Sequence, residues 1–300
     1  MAMPTGIGVI DLLMTPKAGA ALREARTQIR GLTRDRESEG FYSPAEYMFK
    51  DVPYSPHSRD PSGAVEAPPE GADLLLPEMD RHGIERAMIS VTFDHQASHD
   101  ALRKYPDRFF GSFGVDPNRG MEGVRDLVRA HDEFGIKAAT AFPAGFSPQV
   151  AINDKKMYPL YAKCVELDIP ICINAGVAGP RVPSAVQHVE LIDEVCWFFP
   201  ELRLVTRHGC EPWTDLAVKL MLKWPNLFYS TSAFAPKYYP EDIVDFANTR
   251  GADKVMYAGY FPNGLTLDRI FAELPDVPFR DEVWPKFLRE NALRVFALDP

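Results

Sequence analysis

Cysteine is scarce in this chain, and the spacing of the few cysteines excludes the commonest metal and redox motifs. The four cysteines among 300 residues are Cys164, Cys172, Cys196 and Cys210. No two of them form a C-x-x-C pair or have the spacing of a zinc knuckle. We therefore expect buried free thiols in a reducing compartment, and no disulfide or structural zinc site.

The chain also lacks an excess of basic residues and any long apolar run. A net charge of −9 excludes the basic face that a nucleic-acid-binding protein needs. No stretch approaches the roughly 18 uninterrupted apolar residues of a membrane helix, and the first residues do not resemble a secretion signal. We expect a cytoplasmic protein whose partner is a small-molecule substrate, with neither nucleic acid nor membrane as partner. Homo-oligomerisation stays open.

Short apolar runs that alternate with amphipathic segments are abundant. Hydrophobic residues make up 46% of the chain, which allows a large core. The runs that predict strands are GVIDLL, ERAMISVT, RFFGSFGV, IKAATAF, IPICINAG, LRLVTRHG, NLFYSTSA and KVMYAGYF. Strands buried on both faces and separated by helices indicate parallel βαβ units. The economical α/β fold is a (β/α)8 TIM barrel forming a single domain over residues 1–300, with an open doubly wound sheet as the alternative.

Residues 33–70 interrupt this alternation. The segment is polar and rich in proline, with scattered aromatic residues that include Tyr47 and Phe49. A loop of this length inside a compact domain is usually functional or disordered. We predict a lid-like insertion in which Tyr47 and Phe49 contact the substrate, and a plain surface excursion is the alternative.

The strand ends combine a few polar residues with several apolar ones. In a TIM barrel the reactive groups lie at the C-terminal ends of the strands and in the loops that follow. Those positions are occupied here by Leu13, Met14, Phe93, Phe142, Asn174, Arg207, His208, Glu211 and Tyr260. A mostly apolar mouth with a few directed polar groups indicates a small, largely apolar cyclic or aromatic substrate.

Several runs make the chain similar to the amidohydrolase-related family, whose members include aminocarboxymuconate-semialdehyde decarboxylase, benzoate-type decarboxylases and various hydrolases. The family's segment that ends in a histidine before Ala-Gly is resembled by INDKKMYPLYAKCVELDIPICINAG. Its opening strand and its strand-six, strand-eight and C-terminal motifs are resembled by GVIDLL, RLVTRHGCEPW, DKVMYAGYFP and PKFLRENALRVFALD. The likeness covers the chain except for the predicted lid. It implies a TIM barrel and, ordinarily, one divalent metal.

Carried over residue by residue, the resemblance implies that the metal ligands of the family are replaced. The His-x-His pair falls on Leu13 and Thr15, the strand-five histidine on Asn174, and the strand-eight aspartate on Tyr260. Leucine has no lone pair to donate, and tyrosine would have to ionise far below its usual pKa. We therefore predict no metal and no cofactor at this position.

His208 matches a family histidine that resembles a general acid/base. Imidazole titrates near neutrality, so it can transfer protons without a metal. We predict His208 as the catalytic acid/base, with Asn174 and Tyr260 polarising or positioning the substrate. The alternative is an inherited histidine that is satisfied by packing.

The two charged neighbours of His208 leave alternatives open. Arg207 is predicted to bind a substrate carboxylate, or else to form a salt bridge behind the barrel. Glu211 is predicted to orient the imidazole of His208 in the substrate site, or else to cap the following helix.

Two functions follow from these residues. The first is a metal-independent hydrolase or decarboxylase that uses His208. The second is a catalytically silent barrel that binds a ligand or a partner protein, because a fold does not by itself imply a function. A deep pocket that reaches His208 would favour catalysis, and a mouth filled with side chains would favour the silent barrel.

Overall fold

The strands of this chain pair in parallel and in chain order. The computed structural model describes residues 3–4, 6–17, 32, 34 and 69–300. Within them, eight strands form a single sheet with neighbours β1 to β8 in sequence order. The strands are β1 Val9–Met14, β2 Ile84–Val91, β3 Phe109–Gly114, β4 Ala138–Ala141, β5 Ile171–Asn174, β6 Leu204–Arg207, β7 Leu227–Ser230 and β8 Val255–Met256. This sheet, alternating with helices, confirms the predicted TIM barrel.

Helices follow the strands along the chain. They are α1 Gly71–His82, α2 Gln96–Lys104, α3 Met121–Phe134, α4 Tyr158–Glu166, α5 Leu191–Phe198, α6 Thr214–Lys223, α7 Glu241–Thr249 and α8 Leu267–Glu273. Short helical segments Val283–Pro285, Lys286–Glu290 and Asn291–Val295 follow one another towards the C-terminus. None of the described helices has the length and apolar content required to cross a bilayer.

The predicted lid-like insertion over 33–70 lies outside the described residues, apart from Arg34, Pro69 and Glu70. Its predicted substrate contacts, Tyr47 and Phe49, are outside them as well. The described residues on either side meet, because the Gly71 N–H donates to the Pro16 carbonyl at 2.8 Å. Pro16 and Gly71 are therefore neighbours just beyond the C-terminal end of β1.

Apolar side chains fill the part of the barrel interior that lies towards the N-terminal ends of the strands. This inner cluster contains Ile10, Leu12, Met88, Phe110, Ala138, Cys172, Val205, Phe228, Met256 and Ala258. Val295 and Phe296 from the C-terminal segment pack against it, with the Phe296 ring 5.9 Å from that of Phe110. Side chains two residues apart on a strand share a face, so the next inward positions are Ser90, Thr140, Asn174 and Arg207. The barrel interior is therefore polar towards the C-terminal ends of the strands and apolar towards their N-terminal ends.

Cysteine takes no part in this polar region. All four cysteines are free and buried, as predicted. Burial raises the pKa of each thiol to about 12. These thiols are protonated at neutral pH and are therefore not nucleophiles.

A side chain joins the first and last strands of the barrel. β8 is shorter than the predicted run KVMYAGYF, because beyond Met256 the chain meets the Asp11 carboxylate instead of a strand. Asp11 Oδ1 accepts hydrogen bonds from the Gly259 N–H at 2.8 Å and the Leu13 N–H at 2.9 Å. A Cβ at position 259 would lie 2.5 Å from Asp11 Oδ2, so the approach requires glycine. We call this contact the Asp11 seam.

The Asp11 seam makes stability dependent on pH. Burial raises the pKa of Asp11 from 3.8 to about 6, although hydrogen bonds from Gly259, Leu13 and Tyr257 oppose the shift. A raised pKa means that the folded state binds more protons than the unfolded state between pH 4 and 6, so stability falls as pH rises through that window. Above this window the ionised Asp11 carboxyl lowers the free energy of unfolding by about 3 kcal/mol. In Asp11→Asn we expect this fall to disappear, as measured by urea unfolding across pH 4 to 7.

Asp94→Asn provides the control for this measurement. The pKa of Asp94 is lowered, mainly by a hydrogen bond from the Thr92 side chain, so its contribution has the opposite sign. Its replacement should remove stability that is present at neutral pH and lost in acid. Parallel curves for wild type and Asp11→Asn would contradict the proposed role of the buried carboxyl.

Candidate active site at the C-terminal ends of the strands

A cavity of about 1190 Å³ opens at the C-terminal ends of the strands. Its wall runs from Thr92 and His95, beyond β2, to Arg207 and His208 at the end of β6. The predicted catalytic histidine thus faces an open space. This is the arrangement that favours catalysis over a mouth filled with side chains.

The turn that carries His208 is strained. Three consecutive residues have left-handed backbone, with φ of 63° at His208, 91° at Gly209 and 60° at Cys210. Left-handed backbone costs a non-glycine residue roughly 1–3 kcal/mol and persists only where the surroundings impose it. Here the His208 N–H donates to Ser232 Oγ at 3.1 Å, and the Tyr229 hydroxyl donates to the Gly209 carbonyl at 3.2 Å. Tyr229 on β7 and Ser232 just after β7 therefore hold the turn in place.

The loops after β5 and β6 lie against each other at Gly176. Its φ is 99°, and a Cβ there would lie 2.8 Å from the Cys210 carbonyl carbon. Next to it, the Val177 N–H donates to the Glu211 carbonyl at 2.8 Å. Only glycine permits this close approach. The packing of these loops fixes the strand end that carries Asn174 beside the turn that carries His208.

His208 is held as a neutral imidazole. Its Nδ1 lies 3.1 Å from Ser232 Oγ, and its ring meets the Tyr260 ring edge-on at a centroid distance of 5.5 Å. Burial, and next the charge of Arg207, lower the pKa of His208 to about 3, against an opposing backbone hydrogen bond at Ser232. The imidazole is therefore uncharged at neutral pH. The expected titration near neutrality does not hold for the free protein, and Ser232 at Nδ1 leaves Nε2 for the cavity.

Arg207 is a half-buried cation on the same wall. It follows the inward-facing Val205 by two residues on β6 and lines the cavity. Burial lowers the pKa of its guanidinium, and its electrostatic neighbours are Cys172 and Tyr260. No carboxylate within the described part of the chain forms an ion pair with it, so the alternative of a salt bridge behind the barrel is not seen there. A buried charge without a counter-ion is unfavourable until an anion binds.

Polar side chains extend this wall beyond Arg207. Asn174 is the register partner of Arg207 on the neighbouring strand and is 9% exposed at the cavity. Thr140 on β4 also lines the cavity. Among the described residues, neither side chain has a hydrogen-bond partner. Both are therefore available to a ligand.

Two aromatic residues supply an apolar wall. Phe93 lines the cavity and packs against Phe113 at a centroid distance of 5.3 Å. Phe142 also lines it, and a Cβ at Gly145 would lie 2.3 Å from the Phe142 ring. The glycine leaves room for the ring to lie against the turn. Both aromatic residues occupy the positions at which the sequence predicts substrate contacts.

Other residues proposed from the sequence lie away from the described cavity wall. Leu13 is half-buried against the inner cluster. Met14 is 1% exposed and packs in the outer core, not towards the mouth, because the β1 register shifts between Asp11 and Met14. Glu211 is half-buried, and burial raises its pKa. It does not cap α6, which begins at Thr214 with Trp213 at the cap.

The cavity rim contains residues that the sequence analysis did not select. Charged side chains there include Lys17, Asp116 and Arg119. His95 also lines the rim, with Nδ1 2.5 Å from Ser98 Oγ and Nε2 3.4 Å from Glu70 Oε2. Thr140 was missed as well, although its two-residue spacing from the inward Ala138 is a signal that could have found it.

The residues at the family's metal positions do not fit a divalent cation. Throughout the described ranges, no group of three or more His, Cys, Asp or Glu side chains is placed to hold a metal ion. Leu13 packs on the apolar inner cluster, and Asn174 supplies a neutral amide. Zinc sites use three or four nitrogen, sulfur or anionic oxygen ligands from the protein.

Comparisons with known sequences identify the family. A model of the amidohydrolase family matches residues 44–298. No curated protein sequence is significantly similar to the chain.

Solved structures share the fold at low sequence identity. An uncharacterised TIM-barrel protein from Bordetella bronchiseptica is 21% identical with a TM-score of 0.70, covering 97% of this chain and 99% of that one. A 5-carboxyvanillate decarboxylase from Novosphingobium aromaticivorans, complexed with manganese and a nitrobenzoic acid, is 18% identical with a TM-score of 0.70, covering 98% and 97%. A probable 2-pyrone-4,6-dicarboxylic acid hydrolase from Acinetobacter baumannii is 13% identical with a TM-score of 0.64, covering 97% and 99%.

Proposed function

The chain belongs to the amidohydrolase family, and we propose that it is a metal-independent hydrolase of a small cyclic or aromatic carboxylate. The proposal rests on one observation: the guanidinium of Arg207, which forms no ion pair with the residues that the structure describes, lies beside a neutral imidazole on the wall of a large cavity. Two of the similar solved structures are of proteins described as acting on cyclic carboxylates, 5-carboxyvanillate and 2-pyrone-4,6-dicarboxylic acid.

Arg207 holds the substrate carboxylate in this proposal. A guanidinium presents parallel N–H groups that match both oxygens of a carboxylate. Because the guanidinium is already desolvated, an incoming anion gains a strong interaction and removes the cost of the unpaired charge. Asn174, one strand away in register, donates its amide N–H to the same ligand. The rings of Phe93 and Phe142 contact the apolar part of the substrate.

His208 makes the proton transfers. With its proton on Nδ1 and donated to Ser232 Oγ, the neutral imidazole can accept a proton from water through Nε2 while that water attacks a lactone or ester carbonyl. The same nitrogen then returns the proton to the leaving oxygen, so one water is consumed and no oxidant or reductant is required. A bound carboxylate offsets the charge of Arg207 and so makes proton uptake by His208 easier than in the free protein. Tyr260, edge-on to the imidazole, helps to position the ring and the substrate.

Binding of the substrate carboxylate by Arg207 favours hydrolysis over decarboxylation. Decarboxylation disperses the negative charge of the carboxylate, so a cation bound to that group stabilises the starting state more than the transition state. Hydrolysis leaves an anchoring carboxylate unchanged, and the attacked carbonyl gains charge. Decarboxylation is the second candidate, because several of the similar structures are decarboxylases. It would require His208 to carry a proton to the ring carbon.

Metal removal tests the proposal directly. The native protein is analysed for bound metal, treated with EDTA, and assayed on carboxylated lactones, esters and hydroxybenzoates. We expect less than about half an equivalent of bound zinc or manganese and unchanged turnover after chelation, because the described residues offer no metal-ligand set. A tightly held equivalent whose removal abolishes turnover would overturn metal independence.

The products distinguish the candidate functions. Hydrolysis of the lactone or ester group forms a new carboxylic acid, whose ionisation releases a proton that a pH-stat records, whereas decarboxylation consumes a proton and releases CO2. Binding of these carboxylates without either product, across the whole substrate set, would support the silent barrel instead.

A further inference from the structure

Gly114 occupies an unusual place on the cavity wall. It ends β3, where Phe110 belongs to the inner cluster, and the alternation of side chains places position 114 on the same inward face. Its register partner is Thr140, and both residues line the cavity. Gly114 is also exposed there, whereas the other residues of β3 are buried.

Among the residues that the structure describes, nothing around Gly114 requires glycine. Its backbone is not left-handed, and a Cβ built there would meet only Thr140 Oγ1, at the ordinary distance of 3.8 Å. Gly111 on the same strand is different, because a Cβ there would lie 3.1 Å from both Ile136 and Val91. Gly111 therefore serves packing, and Gly114 leaves open space in the cavity.

We propose that Gly114 is a specificity-determining residue whose missing side chain admits the ring of the substrate. The inference rests on the proposed function, since it takes the ring to belong to a carboxylate held by Arg207. The Thr140 hydroxyl borders the same space and is available to a polar ring substituent. A branched side chain at 114 would put methyl groups where the ring lies and would leave the carboxylate site intact.

The test compares two carboxylates of different size. Binding of acetate and benzoate to the full-length protein is measured by ligand-observed NMR titration, for wild type and for Gly114→Val. Acetate needs only the carboxylate site, so its dissociation constant should stay within twofold. Benzoate also needs the ring space, so its dissociation constant should rise tenfold or more. Gly114→Ala should raise the dissociation constant of benzoate by a smaller factor, and it replaces the valine variant in the test if that variant does not fold.

Gly179→Val is the matched control. Gly179 also lacks left-handed backbone and has no heavy atom within 4 Å of its built Cβ, but it does not line the cavity. Benzoate binding should be unchanged in this variant. A similar loss at both positions would show a general effect of valine and would overturn the inference.

The remaining outcomes separate this inference from the proposed function. Equal benzoate affinity in wild type and both Gly114 variants would overturn the inference alone, as would an equal loss for acetate and benzoate. Benzoate binding that survives Arg207→Gln but is lost in Gly114→Val would overturn the proposed carboxylate site and leave the ring site standing. Failure of the wild type to bind either probe would overturn both.

Discussion

Replacing His208 with asparagine should lower kcat/KM by about 10²–10⁴-fold, the range in which a positioned acid/base contributes to catalysis. Asparagine tolerates left-handed backbone better than most residues, so it suits the φ of 63° at this position and keeps the turn folded. The measurement is steady-state turnover of the substrate identified in the carboxylate screen. The melting temperature is recorded alongside to show that the fold is intact.

The pH dependence gives this prediction a second readout. Because the pKa of His208 in the free protein is lowered to about 3, the imidazole is already in its basic form from pH 5 to 8. In wild type, kcat/KM should therefore show no acidic limb near pH 6.5 from this group. His131→Asn, at a histidine on α3 that contacts Asp132 and does not line the cavity, is the control and should keep full turnover. Full turnover in the His208 variant would remove it from the mechanism.

Replacing Arg207 with glutamine should weaken benzoate binding by thirtyfold or more. Loss of one partner of a buried charge pair costs about 2–5 kcal/mol, and 1.4 kcal/mol corresponds to tenfold in affinity. The measurement is the calorimetric dissociation constant of benzoate. Arg119→Gln is the matched control, because Arg119 lies on the rim and is ion-paired with Glu122 and Asp126. Its effect should stay within about threefold, as for exposed charges.

Two companion measurements separate binding from a structural role. Removing a half-buried charge that has no ion pair among the described residues relieves its desolvation cost, so the Arg207 variant should be at least as stable as wild type. Removing a positive charge beside His208 should also raise the pKa of that imidazole towards its ordinary value, as followed by NMR. A variant that is less stable and binds benzoate normally would contradict the proposed role of Arg207.

The barrel was predictable because its signals are local. Each strand run is short and apolar, and each helix follows with its own periodicity, so β2 to β7 appear close to the predicted positions. β8 is the exception: its run looks like a full strand, but the backbone beyond Met256 meets the Asp11 side chain. A contact between residues at opposite ends of the chain does not change the local hydrophobic pattern of either segment, so that pattern does not predict it.

The candidate site was predictable only in part. Asn174 and Arg207 end their strands and His208 follows one directly, so their shared location follows from the fold. The low pKa of His208 does not follow from the fold, because it comes from burial and from the neighbouring charge of Arg207. Met14 was predicted at the mouth because of its position at the end of β1. An irregular register on β1 instead turns its side chain into the outer core.

The Asp11 seam sets the order in which the barrel can assemble. Asp11 and Gly259 are 248 residues apart, and contacts between distant residues form slowly because a large loop must close first. During synthesis β1 leaves the ribosome long before β8 exists, so the edge of β1 that meets the segment around Gly259 stays uncovered until the chain is nearly finished. Such an edge is where another chain can add a strand. We therefore expect the Asp11 seam to close late in folding and the uncovered edge of β1 to be a site of aggregation in the unfinished chain.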